Sequence, residues 1–297
     1  MTIHSEQAKG IALAAVGGLA LTSDIPLIRL SEGEAWSVLG VRSAVTFLSA
    51  ITIWLMWRAF TPKVPSLVPG LSGLAVATLY GLGSITFIAS VYSTSTANVV
   101  FILAFNPMFS ALLAWVFLGE RMRPATMLAM AAMIVGVVII VWDSIGTGNL
   151  FGDFMALSSA FFIASAITVT RASEREMGFT PLVGVLFPAI IAFAFVAEGG
   201  YRIDAPWWII LNGAILMPLA FFCLGTAPRY IPGGEAAMFY LLETVLAPVW
   251  VWLIFSERPT TNSLIGGAIL VIALVLHSLW QLLDGRRRRG LPEQLPL

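Results

Sequence analysis

Apolar residues in this chain come in long unbroken runs, separated by short stretches that carry charges, prolines and glycines. Ten such runs can be drawn, at 10–30, 35–57, 67–90, 96–118, 124–142, 152–170, 180–197, 206–225, 234–255 and 262–283. A helix rises about 1.5 Å per residue, so about 20 apolar residues cross a hydrocarbon layer roughly 30 Å thick. Each run is long enough to span with some tilt. The connections between them are too short to hold a water-soluble domain.

Composition sharpens this reading. Of 297 residues, 59% are hydrophobic and 11% are charged, where soluble domains carry about 25% charge. The mean hydropathy is +0.92. The first run follows a weakly basic start, with Lys9 alone, and continues to Pro26, longer than a signal peptide's apolar segment. It is expected to remain as a membrane helix. The single cysteine, Cys223, lies within an apolar run and excludes an internal disulfide.

The chain also repeats itself. Ala111–Pro124 reads ALLAWVFLGERMRP, and Pro248–Thr261, 137 positions later, reads PVWVWLIFSERPTT. Trp115, Glu120 and Arg121 match Trp252, Glu257 and Arg258. Arg29 and Arg171 likewise stand 19 residues after Gly10 and Gly152. Basic residues orient the spans, because cytoplasmic ends are enriched in Lys and Arg. With the N-terminus inside, Lys9, Arg58, Lys63, Arg121, Arg123, Arg171, Arg175, Arg229 and Arg286 to Arg289 fall inside, twelve of sixteen. Arg29, Arg202 and Arg258 fall outside, and Arg42 lies within a span. Five spans per repeat is an odd number, so the second repeat enters the membrane upside down. The expected architecture is an all-α membrane protein of ten transmembrane helices in two inverted five-helix repeats. The first covers 9–143 and the second 152–283, followed by a basic cytoplasmic tail, 284–297. Inverted repeats build substrate sites where the halves meet.

Ten spans in two halves, with LGER closing span four and FSER closing span nine, resemble the drug/metabolite transporter superfamily. The likeness is strongest to its EamA-type branch, and within that to the aromatic amino-acid exporters of bacterial inner membranes. It covers about 10–283. What it implies is secondary export of amino acids, aromatic ones favoured, by alternating access; a multidrug or quaternary-cation exporter is the alternative. Such proteins often carry a Glu-Pro pair in the middle of spans four and nine. Here span four has Asn106-Pro107, and span nine has Glu243-Thr244 with Pro248 displaced. A family role for the carboxylate therefore transfers only to Glu243.

Polar groups deep in a bilayer are costly and default to functional candidates. Glu243 leads, with Asn106 as its repeat partner. It can bind a substrate ammonium, carry a proton, or hydrogen-bond a neighbouring helix. Asp24 and Arg42 lie roughly 10 Å below the outer boundary at 1.5 Å per residue, in consecutive spans, and are expected to pair as a packing contact or an outer gate, or Arg42 to meet a substrate carboxylate. Tyr80, Phe101, Phe105, Phe161 and Tyr240 are the candidate aromatic walls; Tyr240 shares a helix face with Glu243 three residues on. Such a pocket suits an amphiphilic amino acid or an aromatic cation. The tryptophans Trp36, Trp54, Trp57, Trp142, Trp207, Trp208 and Trp280 read as an interface belt, and His277 as packing. Pro26, Pro107, Pro188, Pro218 and Pro248 predict bends or hinges, since proline removes a helix hydrogen bond.

Other classes fail on inventory. Two histidines, His4 and His277, make no HExxH zinc site, and GxSxG and P-loop motifs do not occur. No enzyme, cofactor, metal or nucleic-acid partner is expected. The partners are a small-molecule substrate and the lipid bilayer. A channel reading lacks a TVGYG-like filter; a channel and a membrane-embedded enzyme without a familiar motif stay as alternatives of another class, which concentrative uptake and product formation would separate from a transporter.

Overall fold

A computed structural model of the chain describes residues 3–61, 66–120, 122–173, 175, 177–227, 230–231 and 239–289. Lys63, Arg121 and Arg229, three of the bases expected inside, lie outside the described residues, as do 234–238 of the ninth span and 290–297 of the tail. Among the described residues, nine helical segments are long and apolar enough to cross a membrane, and the 15-residue Leu241–Phe255 is a shorter apolar helix.

Several spans are two helices in series. The first comprises α1 (Ile3–Thr22) and α2 (Asp24–Leu30); α3 (Ala35–Phe60) and α4 (Gly70–Ser93) follow unbroken. The fourth comprises α5 (Thr96–Leu103) and α6 (Asn106–Leu118), and α7 (Pro124–Thr147) closes the first half. The second half holds α8 (Leu150–Ser173), α9 (Thr180–Gly184), α10 (Leu186–Gly199), α11 (Pro206–Leu211), a π-helical turn (Asn212–Leu216), α12 (Met217–Thr226), α13 (Leu241–Phe255) and α14 (Thr261–Arg289). Four of these interruptions fall within the turn preceding a proline: Ser23 before Pro26, Ala104-Phe105 before Pro107, Val185 before Pro188, and the π turn before Pro218. A proline ring crowds the carbonyl four residues back and donates no hydrogen bond, so the ladder fails in the turn preceding it. Pro248 differs: α13 runs through it without a break.

The packing has the symmetry of a doubled unit. Span three (α4) lies along α8, the first helix of the second half; the second half's third span, α12, lies along α1. The two remaining partnerships are each between equivalent helices, α3 with α10 and α7 with α14. Gly10 and Gly152 report the same relation at close range. A methyl group on Gly10 would meet Tyr230 and Ile231, and one on Gly152 would meet Ser93 and Thr94. Residues 93–94 and 230–231 are 137 apart, the spacing of the sequence repeat. The α7–α14 crossing is backbone on backbone: a Cβ on Gly136 would lie 2.8 Å from the Gly266 carbonyl, and one on Gly266 would lie 2.5 Å from the Gly136 carbonyl. Lipid gives no hydrophobic drive for helices to associate, and small residues permit the close contact that replaces it. The main core gathers Phe87, Phe101, Phe105, Met108, Ile140, Val251 and Leu270 from both halves.

Candidate functional site

The break in the first span creates the site. Asp24 opens α2, so its charge sits at the positive end of a short helix. Thr22, just before the break, donates to the Leu19 carbonyl (2.8 Å) and accepts from Trp250 Nε1 (3.1 Å). Across from Asp24, Arg42 Nη2 donates to both carboxylate oxygens, at 3.1 and 3.0 Å. Asn212, the first residue of the π turn, completes a triangle. It accepts from Arg42 Nε (3.0 Å) and donates from Nδ2 to Asp24 Oδ1 (2.7 Å). The π turn reaches this position because Gly213 lets the backbone come against the Arg42 carbonyl, 2.8 Å from where a Cβ would stand. Single π turns often mark functional positions. The guanidinium also lies over the Phe87 ring, 5.6 Å from its centroid.

All three polar residues are buried, at 5%, 8% and 0% exposure for Asp24, Arg42 and Asn212. Counting about 1.5 Å per residue from the same end of the bundle, they lie about 9–10 Å deep. Glu243 lies about 18 Å deep on this count, near the midplane. It is in the first turn of α13 and partly accessible. Its helix packs against α1 and α2, on either side of the break that sets Asp24. Among the described residues no side chain hydrogen-bonds to it. A self-satisfied ion pair tied to Asn212, with a deeper carboxylate that takes no side-chain hydrogen bond among the described residues, is the polar centre of this site.

The aromatic candidates divide. Tyr240 stands exposed at the head of α13, three residues before Glu243, and Tyr80 is partly buried against Val76, Ala166 and Met177. Phe105, Phe109, Phe161 and Phe162 form a chain of edge-on rings with centroids 5.0, 5.6 and 6.2 Å apart. Phe161 is exposed and Phe105 buried. Phe101 stands apart from these rings: its ring packs directly on Gly267 of α14. Asn106 is partly accessible and accepts a long 3.5 Å hydrogen bond from Ser110.

Sequence reasoning did not single out two further polar groups. Asn212 has no periodicity or motif to mark it; only its place seven residues into an apolar run could have drawn notice. Asp153 is fully buried, taking hydrogen bonds from Thr94 (2.6 Å), Ser144 (2.5 Å) and Asn98 (3.2 Å), while Asn98 accepts from Ser263 (2.5 Å). The first turns of α5, α8 and α14 supply Asn98, Asp153 and Ser263, and helix N-termini favour an anion. Asp153 stands at the start of an expected span, and only the assembled helices cover it.

A bundle of apolar helices in two inverted halves, with charged residues buried where the halves meet, is a multi-pass membrane transporter. The chain belongs to the EamA-like transporter family, whose model matches it twice, over residues 8–142 and 150–279. The family's members are transporters and not enzymes. An uncharacterized transporter of Archaeoglobus fulgidus is 26% identical over 209 residues, 69% of this chain and 75% of that protein. The pseudopaline exporter of Pseudomonas aeruginosa is 22% identical over 275 residues, 91% of this chain and 95% of the exporter. A solved crystal structure shares the fold, with a TM-score of 0.61 at 15% identity over 93% of this chain and 97% of its own.

Proposed function

We propose that this transporter exports amino acids, aromatic ones favoured, across a bacterial inner membrane by alternating access, with both termini cytoplasmic. The observation that carries the reading is Glu243: an acid near the midplane on a partly buried residue, without a hydrogen-bonding side chain among the described residues, on a helix packed against the one that carries Asp24, whose charge Arg42 already satisfies. It receives the substrate ammonium. Asn106, its repeat counterpart, stands at the N-terminal end of a broken helix. Such ends favour anionic substrate groups, and the substrate carboxylate is assigned there. Tyr80, Tyr240 and the Phe105–Phe109–Phe161 rings supply the wall for an aromatic side chain. Pro26, Pro107, Pro188 and Pro218, each beside a helix interruption, are the places where the halves bend. Export as the direction is supported by the likeness to an exporter over most of the chain.

The same carboxylate, without a side-chain hydrogen bond among the described residues and with aromatic rings nearby, also suits a quaternary cation, and that is the second reading. A panel in reconstituted liposomes separates them: phenylalanine, threonine, N-acetylphenylalanine and a quaternary ammonium, with and without a pH gradient. The amino-acid reading expects phenylalanine to bind and its N-acetyl derivative to fail; the second reading expects the quaternary ammonium to win. On the amino-acid reading Glu243→Gln should weaken binding by about 1.5–3 kcal/mol, roughly 10- to 150-fold, for a lost charge-assisted hydrogen bond; a quaternary ammonium has no N–H to donate, so on the second reading binding falls through loss of the carboxylate's charge alone. Unaltered binding and transport in Glu243→Gln would reduce the residue to packing and sink both readings.

A further inference from the structure

The two GER-like motifs do the same thing at opposite ends of the bundle. In the first half, α6 ends at Gly119 in the left-handed conformation (φ 68°), and Glu120 follows. In the second half, α13 ends at Ser256, also left-handed (φ 56°), and Glu257 follows. A left-handed residue stops a helix and turns the chain sideways. Each glutamate is thereby aimed across the repeat boundary. Glu257 of the second half meets Arg29 of the first, 2.5 Å from Nη1 to Oε2. Glu120 of the first half meets Arg171 of the second, 2.6 Å from Nη2 to Oε1. Arg29 and Arg171 are the repeat-related arginines, and Glu120 and Glu257 the repeat-related acids. The two ion pairs are therefore one contact, generated twice by the inverted symmetry, once at each end of the bundle.

We infer that these pairs are the two latches of the transport cycle, one closing the Arg29 end and the other the Arg171 end. Each joins the first span of one repeat to the end of the fourth span of the other, so the halves cannot part at that end while it holds. The latches are unequal. The Arg29–Glu257 pair is the more enclosed, with side chains 26% exposed on both sides, and Glu257 takes a second bond from the Thr96 backbone N–H (2.9 Å). The Arg171–Glu120 pair is open to its surroundings, at 51% and 50%. Arg29 also lines a cavity of about 380 Å³ with Glu32, Tyr92, Thr94 and Phe255. Arg29 Nε and Thr96 Oγ1 are buried there without hydrogen-bond partners among the described residues. Buried polar groups are normally bonded, so these two atoms beside the bridge call for an explanation. They are free to bond in another arrangement of this end.

The inference needs only that the protein alternates between its two ends; which end faces the cytoplasm rests on the orientation proposed above. The test uses Tyr240→Cys as a reporter in a Cys223→Ala background and an impermeant thiol reagent, applied to right-side-out and to inside-out vesicles. Labelling after denaturation normalises for folded protein. Arg29→Gln and Glu257→Gln should each raise labelling severalfold from one side, and Glu120→Gln and Arg171→Gln should each raise it from the other. Each latch has two partners, so a variant that does not accumulate is replaced by its mate. With the orientation proposed, loss of the Arg29–Glu257 pair opens the outside. Opposed shifts of reversed sense would keep the latches and overturn the orientation alone. An unchanged ratio, or shifts in one direction for all four variants, would overturn the latches.

Discussion

Neutralising Asp24 tests the central triad most directly. Asp24→Asn preserves shape and some hydrogen-bonding capacity but leaves the Arg42 guanidinium, 8% exposed, without its counter-charge. Breaking a buried pair from one side costs about 3–5 kcal/mol, most of it the uncompensated charge left behind. Arg42→Gln leaves the carboxylate stranded and should cost a similar amount. The double variant, Asp24→Asn with Arg42→Gln, removes both charges and leaves amides that can still bond each other and Asn212. Its loss reduces to imperfect neutral hydrogen bonds, about 0.5–1.5 kcal/mol each, so about 2–3 kcal/mol in total. The coupling between the two sites should then be several kcal/mol in favour of the pair. Equilibrium unfolding in mixed detergent micelles, followed by tryptophan fluorescence, measures it. A double-variant loss equal to the sum of the single losses, within the roughly 0.5 kcal/mol expected of independent sites, would refute the reasoning.

The remaining predictions concern the wall and the cap. Tyr80→Ala and Tyr240→Ala should weaken phenylalanine transport more than threonine transport, since ring contact is lost for one substrate only; Phe101→Ala, whose ring rests on Gly267, should lower stability by about 3–5 kcal/mol without changing that ratio. Competition transport and melting curves on the same preparations check both, and a selective loss in Phe101→Ala would move that ring into the pocket. Ser256→Gly should stabilise the protein by up to about 1 kcal/mol, because glycine adopts the left-handed cap without a Cβ penalty; destabilisation would mean that the serine hydroxyl matters more than the backbone.

Much of this molecule was legible in its sequence because the bilayer is a simple solvent. Backbone groups in the hydrocarbon layer must be satisfied within the protein, so length and apolarity announce the spans, nine of which are long and apolar enough among the described residues, and the expected five per repeat implies inversion. The Gly10/Gly152 and Glu120/Glu257 correspondences stand in the sequence too. The sequence also put Asp24 and Arg42 at a common depth in consecutive spans, where the structure joins them at 3.0 Å. Depth is one coordinate, however, and which helix face meets which neighbour is another. Asn212 joins the triad only because a π turn and a glycine bring it against α3, a shift that no periodicity encodes. Phe101 and Tyr240 look alike as deep aromatics, yet one rests on a glycine of α14 and the other stands beside Glu243. Arg29 and Glu257 are 228 residues apart, and each reads alone as a span-end charge. Only the crossing of the two halves makes them a pair, because the inverted symmetry that relates the repeats acts in space and not along the chain.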